Sequence, residues 1–148
     1  MRRLLALFVS LALLLVAHGA LALQCDGLAS HERAGGHILA RHVGKNAAFL
    51  LERVRRDRVS AASTFRSLPA AERFVREALA ANRARIGTWS SATASRLVLS
   101  WRTRAVTGLS VARRARAPRE VHGVRLVLQR DRRMDCGYHL VTAYPEAP

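Results

Sequence analysis

His31-Glu32-Arg33-Ala34-Gly35-Gly36-His37-Ile38-Leu39-Ala40-Arg41-His42-Val43-Gly44 gathers three histidines, a glutamate and two arginines in a chain otherwise dominated by Arg, Ala, Leu and Val. The stretch reads as one or two short helices from Leu28 to His42, kinked or broken at Gly35-Gly36 and stopped at Gly44. On a continuous helix His31 and His42 share a face about three turns apart. His37 and Arg41 share another. Imidazoles exchange protons near neutral pH, and an arginine beside them is a fixed cation with a planar donor fork. Such a set suits acid/base chemistry on an anionic substrate. It equally suits a polar helix face, so the flanking sequence has to decide.

Downstream, Asn46 is placed to cap a helix through about Arg56, with Phe49, Leu50 and Val54 as its buried stripe. Arg53, Arg55, Arg56 and Arg58 read as its solvated face. Ser60 to Phe65 is a short extended link or strand. Ser67, Pro69 and Glu72 open a second helix, whose apolar positions Val75, Ala78, Leu79, Ile86 and Trp89 form a core stripe. After Gly87 the period becomes two. Strands are expected around Leu97–Trp101, Val106–Val111, Val121–Gln129 and Tyr138–Tyr144, the last ending before Pro145. Between them lie a basic loop from Ala112 to Arg119 and a turn from Asp131 to Gly137. Helices first and strands afterwards predict an α+β domain with the N-terminal helices packed on an antiparallel sheet.

Upstream, Arg2 and Arg3 precede an apolar run from Leu4 to Ala17, and Ala20-Leu21-Ala22 has the A-x-A spacing. This is the layout of a secretory signal peptide over residues 1–22, leaving a single domain over 23–148. The run is interrupted by His18 and Gly19, too early for a spanning helix of about 20 apolar residues. No stable membrane span is therefore expected after cleavage, and the mature chain is expected to be secreted or periplasmic. Its two cysteines, Cys25 and Cys136, suit a disulfide in that oxidising setting.

The formal charge of the chain is +15, with Lys45 the only lysine; loss of Arg2 and Arg3 leaves +13. Such a balance favours a polyanionic partner, although an arginine-rich background alone gives part of it. Other chemistries are excluded residue by residue. Gly35 stands where H-E-x-x-H needs its second histidine, and no cysteine pair has zinc-ligand spacing. No Gly-rich loop with Lys and Ser/Thr is present, and Gly108-Leu109-Ser110-Val111-Ala112 is a defective G-x-S-x-G. Neither a metal nor a cofactor is expected. What remains is imidazole, guanidinium and hydroxyl. RNA supplies its own nucleophile, so its cleavage needs only a base for the 2′-OH, a cation for the phosphoryl oxygens and a donor for the leaving 5′-oxygen. On the last strand Thr142 and Tyr144 project from one face, with Tyr138 and Leu140 on that face and His139 opposite.

Taken together, the motif from His31 to Lys45, Ala62-Ser63-Thr64-Phe65, the helix with Ala80-Ala81-Asn82 and Ile86 to Trp89, Leu126-Val127-Leu128, and Thr142-Ala143-Tyr144-Pro145 resemble one family. It is the bacterial RNase A-like domain found at the C-termini of contact-dependent growth inhibition toxins and other polymorphic toxins. The resemblance implies a kidney-shaped α+β fold like that of pancreatic-type ribonuclease, and metal-independent RNA cleavage by a histidine, an arginine, a threonine and a tyrosine. By motif these fall on Thr142, Tyr144 and Arg41, with the histidine on His31 first, His42 second and His37 third. The histidine would be the general base and Arg41 the cation. Thr142 and Tyr144 would contact phosphate or serve the leaving side, and His37 would bind substrate. Family members commonly end very large toxins, whereas this chain opens on a signal-peptide layout.

The leading expectation is thus a secreted, metal-independent endoribonuclease acting on RNA, tRNA included, with an antibacterial toxin as one role. A cognate immunity protein is expected if its target lies in the producer's own cytoplasm. The alternative is a non-catalytic cationic protein that binds nucleic acid or anionic surfaces.

Overall fold

A computed structural model describes residues 27–148. The expected signal peptide and Cys25 lie outside the described residues. Three short helices come first: α1 (Leu28–Arg33), α2 (Ile38–His42) and α3 (Ala47–Arg56). Strand β1 (Ala61–Thr64) then leads to α4 (Leu68–Ala81) and α5 (Arg83–Ser90). The remainder is β2 (Arg96–Arg102), β3 (Gly108–Ala112), β4 (Arg119–Val121), β5 (Gly123–Arg130) and β6 (Tyr138–Glu146).

The Gly-Gly pair breaks the first stretch into two helices, so His31 and His42 do not share a face. Gly35 takes a left-handed φ of 111°. At Gly36 a Cβ would lie 2.5 Å from the Leu140 carbonyl oxygen, so only glycine lets the turn close on β6. Glu32 then caps α2 from a distance, its two carboxylate oxygens accepting from the N–H groups of Leu39 and Ala40 at 3.0 and 2.9 Å. These satisfy donors that the start of a helix leaves open. Asn46 and Ser67 cap α3 and α4 as expected, accepting from Phe49 N and Ala70 N. The second helical stripe, expected to run on to Trp89, is divided at Asn82 into α4 and α5. The Asn82 amide donates to Ala78 O, closing the end of α4.

Two three-stranded antiparallel sheets form where one was expected, with strand orders β1-β3-β4 and β2-β5-β6. The segment expected as one strand over Val121–Gln129 is split at His122, between the two sheets. β6 runs through Pro145 to Glu146 rather than ending before it. It is the outer strand of its sheet, where a residue without an N–H is tolerated.

Each sheet carries its own core. The larger joins Leu28, Ile38, Phe65, Phe74, Val75, Leu79 and Trp89 to Leu99, Leu126, Leu128 and Leu140. The smaller is Leu50, Val54, Ala62 and Val111, between α3 and the β1–β3 pair. Burying one such side chain is worth about 1.5–3 kcal/mol. Strand β1 serves both, since Ala62 enters the smaller core and Phe65, just beyond the strand, enters the larger. No helix among the described residues is long and apolar enough to cross a membrane.

Candidate active site

The seam between the two cores opens as a cleft of about 460 Å³. Its walls include His37, His42, Arg53, Ser60, Ser63, Ser110, Thr142, Tyr144 and Glu146. Residues far apart in sequence meet here because α2, α3, β1, β3 and β6 each place side chains on this seam.

His42 is buried at the end of α2, and both its backbone and its ring are fixed. Its carbonyl accepts from Phe65 N at 2.8 Å. Ring Nδ1 lies 3.0 Å from the Ser63 carbonyl oxygen, which can only accept, so Nδ1 carries the proton and Nε2 keeps its lone pair. Burial is the main reason its pKa falls to about 4, with Arg53, His37 and Arg41 adding repulsion against the Ser63 bond. The imidazole is therefore neutral at pH 7. Tyr144 stacks on it, with centroids 5.2 Å apart and 27° between planes. Burial raises the Tyr144 pKa, so its hydroxyl stays protonated.

Arg53 is the residue sequence reasoning missed. Expected on a solvated face, it is only 8% exposed and lines the cleft. The guanidinium donates from Nη1 to Arg41 O at 3.4 Å, and its Nε lies 3.5 Å from an Asp57 carboxylate oxygen. Desolvation, then the nearby Arg41, lowers its pKa below that of an ordinary guanidinium, but the group remains charged in proteins. The signal was available. Phe49, Leu50, Arg53, Val54 and Asp57 fall at helical spacing along one stripe, so Arg53 sits among the apolar positions.

Thr142 Oγ1 is buried and has no hydrogen-bond partner among the described residues. Such an orphan costs about 1–3 kcal/mol unless something else meets it. A β-bulge decides its direction. Val127 pairs with Thr142 and Leu128 with Leu140, leaving Val141 as the extra residue. The bulge shifts the alternation by one. Leu140, expected on the face of Thr142 and Tyr144, therefore enters the larger core together with Ala143. Thr142 and Tyr144 are left facing the cleft.

The bulge also seats His37. Its N–H donates to the carbonyl of Val141 at 3.1 Å, and the half-buried ring lies 6.2 Å from that of His42. Burial, then Arg41, lowers its pKa.

Two other expected site residues are not on the cleft walls. Arg41 is exposed, and only its carbonyl reaches Arg53. His31 is wholly buried in α1: its Nδ1 accepts from Leu140 N at 3.2 Å, and its ring stacks on Tyr138. Glu146 is engaged with Arg125 at 2.5 Å. Cys136 lies in the turn between β5 and β6. Among the described residues, no three His, Cys, Asp or Glu gather where they could hold a metal ion.

A family model described as the bacterial CdiA-CT RNase A domain matches residues 36–145. That span contains His37, His42, Arg53, Thr142 and Tyr144 but not His31. The chain is also similar to a solved structure, described as a crystal structure of a CdiA-CT/CdiI complex from Y. kristensenii 33638. The identity is 34%, covering 75% of this chain and 99% of that one, with a TM-score of 0.70. No curated protein matches the chain.

Proposed function

The chain belongs to the bacterial CdiA-CT RNase A domain family, and from that membership and the chemistry of the cleft we propose that it is a metal-independent endoribonuclease. His42 Nε2 takes the proton from the 2′-OH, and the 2′-oxygen attacks the neighbouring phosphorus. Negative charge gathers on the phosphoryl oxygens, where the Arg53 guanidinium and the Thr142 hydroxyl donate. The leaving 5′-oxygen takes its proton through the Tyr144 hydroxyl, which is replenished from solvent. The products are a 2′,3′-cyclic phosphate and a 5′-OH. His37 binds the substrate from the α2 side. DNA, which lacks the nucleophile, is left intact.

The observation that carries this reading is the Nδ1 hydrogen bond from His42 to Ser63 O. It fixes the tautomer that leaves Nε2 its lone pair, on a ring that burial keeps neutral, in a cleft that also holds a buried arginine and an unsatisfied hydroxyl. Between the three histidines, the cleft favours His42 as base; its walls likewise favour Arg53 over Arg41 as the cation. Incubating the protein with tRNA in excess EDTA, and identifying the ends, tests it. Cyclic phosphate ends are expected. Intact tRNA, or cleavage that EDTA abolishes, would refute it.

A cognate inhibitor protein is part of the proposal, because the similar solved structure is described as a complex with CdiI. So are a signal peptide over residues 1–22, export as a secreted or periplasmic protein, and a disulfide joining Cys25 to Cys136. The charge excess of 25 Lys and Arg over 10 Asp and Glu favours a second reading, a cationic binder without turnover. Pure electrostatic binding falls steeply with salt and leaves the RNA whole.

A further inference from the structure

The basic segment after β3 takes no part in the cleft, yet it borders it. A second hollow, also of about 460 Å³, is lined by Arg58, Ser60, Ala112, Arg113 and Arg114. Ser60 lines both hollows. We propose that this second hollow is a subsite for another phosphate of the same RNA chain, next to the one being cleaved. The proposal rests on the endoribonuclease reading above.

Three observations carry it. First, the charge is uncompensated. None of Arg58, Arg113 and Arg114 pairs with a carboxylate among the described residues, whereas Arg56, Arg66, Arg125 and Arg133 each do. No acidic residue lines the hollow.

Second, Arg113 is held in place, and the backbone turns sharply at Arg58 beside it. Arg113 continues the β1–β3 ladder, its backbone N–H donating to Ser60 O at 2.9 Å and its Nε to Val59 O at 3.2 Å. That spends Nε on the backbone and leaves the terminal nitrogens for a ligand. Arg58 has a left-handed φ of 54°, the only positive φ at a non-glycine residue among those described. Such a backbone is disfavoured for a side chain of this size, and it turns the chain sharply between α3 and β1.

Third, the hollow is in line with the cleft. Ser63, whose carbonyl holds His42, pairs with Ser110, and Ala61 pairs with Ala112. Ser60 and Arg113 come next. At about 3.3 Å per residue the arginines sit roughly 10 Å along the ladder from Ser63.

The chemistry selects phosphate. Guanidinium forks match phosphoryl oxygens. The walls hold no aromatic on which a base could stack, so the hollow grips the nucleic-acid backbone without reading sequence.

The test compares a dinucleotide, which reaches the cleft alone, with an oligonucleotide long enough to fill both hollows. Full-length protein is compared with Arg58→Gln/Arg114→Gln, and with the triple variant that adds Arg113→Gln. On the oligonucleotide, kcat/KM is expected to fall about tenfold or more. Its log–log salt slope should shrink by about 0.7 for each phosphate that the variant no longer neutralises. On the dinucleotide, kcat/KM should stay within about twofold, which also shows that the variants are folded. Equal losses on both substrates, or no loss on the longer one, overturn the subsite. Fluorescence anisotropy with an uncleavable 2′-deoxy oligonucleotide gives a readout free of turnover. If the parent protein cleaves nothing, the endoribonuclease reading fails. The subsite then stands or falls on whether tighter binding of longer oligomers disappears in the variants.

Discussion

The Leu140 backbone N–H donates to Nδ1 of His31 across 3.2 Å, tying the first described helix to the last strand. A nitrogen that accepts a backbone hydrogen bond in a fully buried site is part of the core. His31→Ala therefore removes a buried ring and orphans the Leu140 N–H. We expect a loss of about 2–5 kcal/mol in urea unfolding. Activity per folded molecule should be retained, because His31 is absent from the cleft walls. A catalytic collapse in well-folded His31→Ala protein would return this histidine to the active site.

His42→Ala should lower kcat by about 10²–10⁴ while leaving RNA binding largely intact. With a free-enzyme pKa of about 4, kcat/KM should rise with pH through about 4 and then flatten, well below the 6.5 of an ordinary histidine. The corresponding limb in kcat should lie higher, since a bound phosphate favours the imidazolium. A kcat/KM limb near 6.5 would show that His42 is not the base.

The same burial makes stability depend on pH. The unfolded chain binds a proton at His42 near pH 6.5, whereas the folded chain does so only near 4. Stability is thus full above 6.5, declines as the pH falls between those values, and levels off below about 4. The loss is about 3 kcal/mol, and the lowered pKa of His37 adds to it with the same sign. Urea midpoints from pH 7.5 to 4 measure the slope, which should be much shallower in His42→Asn.

Arg53 and Arg41 should separate cleanly. Arg53→Gln is expected to cost about 10²–10³ in kcat, as when a transition-state donor is removed. Arg53→Lys should recover only part of that, because the charge returns without the fork. Arg41→Ala, on an exposed side chain, should cost less than about tenfold. Steady-state kinetics on a single oligonucleotide decides between them.

Gly36→Ala tests how the turn seats the site. A Cβ there meets Leu140 O at 2.5 Å and His31 O at 2.9 Å, both backbone atoms that cannot swing away. The turn must lift off β6, breaking the bond from His37 N to Val141 O. A loss of at least about 2 kcal/mol, with weaker substrate binding, is expected. A neutral variant would mean that the turn and the bulge are not coupled.

Much of this fold is legible in the sequence. The caps at Asn46 and Ser67, the stripe through Val75, Ala78 and Leu79, and the strand at Leu97–Trp101 follow from side-chain chemistry and period. The closing Thr-x-Tyr-Pro leads to the strand whose two hydroxyls line the cleft. Three features escape such a reading. The bulge at Val141 is a matter of strand register, which no side chain announces, and it moves Leu140 off the face of Thr142. The division of one expected sheet into two depends on a break at His122 inside an otherwise continuous run. Arg53 is masked by its neighbours at 55, 56 and 58, which suggest a basic surface. Yet its spacing from Phe49 and Leu50 places it on the buried stripe.

His42 rides on α2, which packs with the larger core, while Arg53 rides on α3, which packs with the smaller. The gap between imidazole and guanidinium is therefore set where the two cores meet across β1 and where the Arg53 guanidinium reaches the Arg41 carbonyl. A substitution that resizes either core thus shifts the two groups against each other without touching a cleft wall.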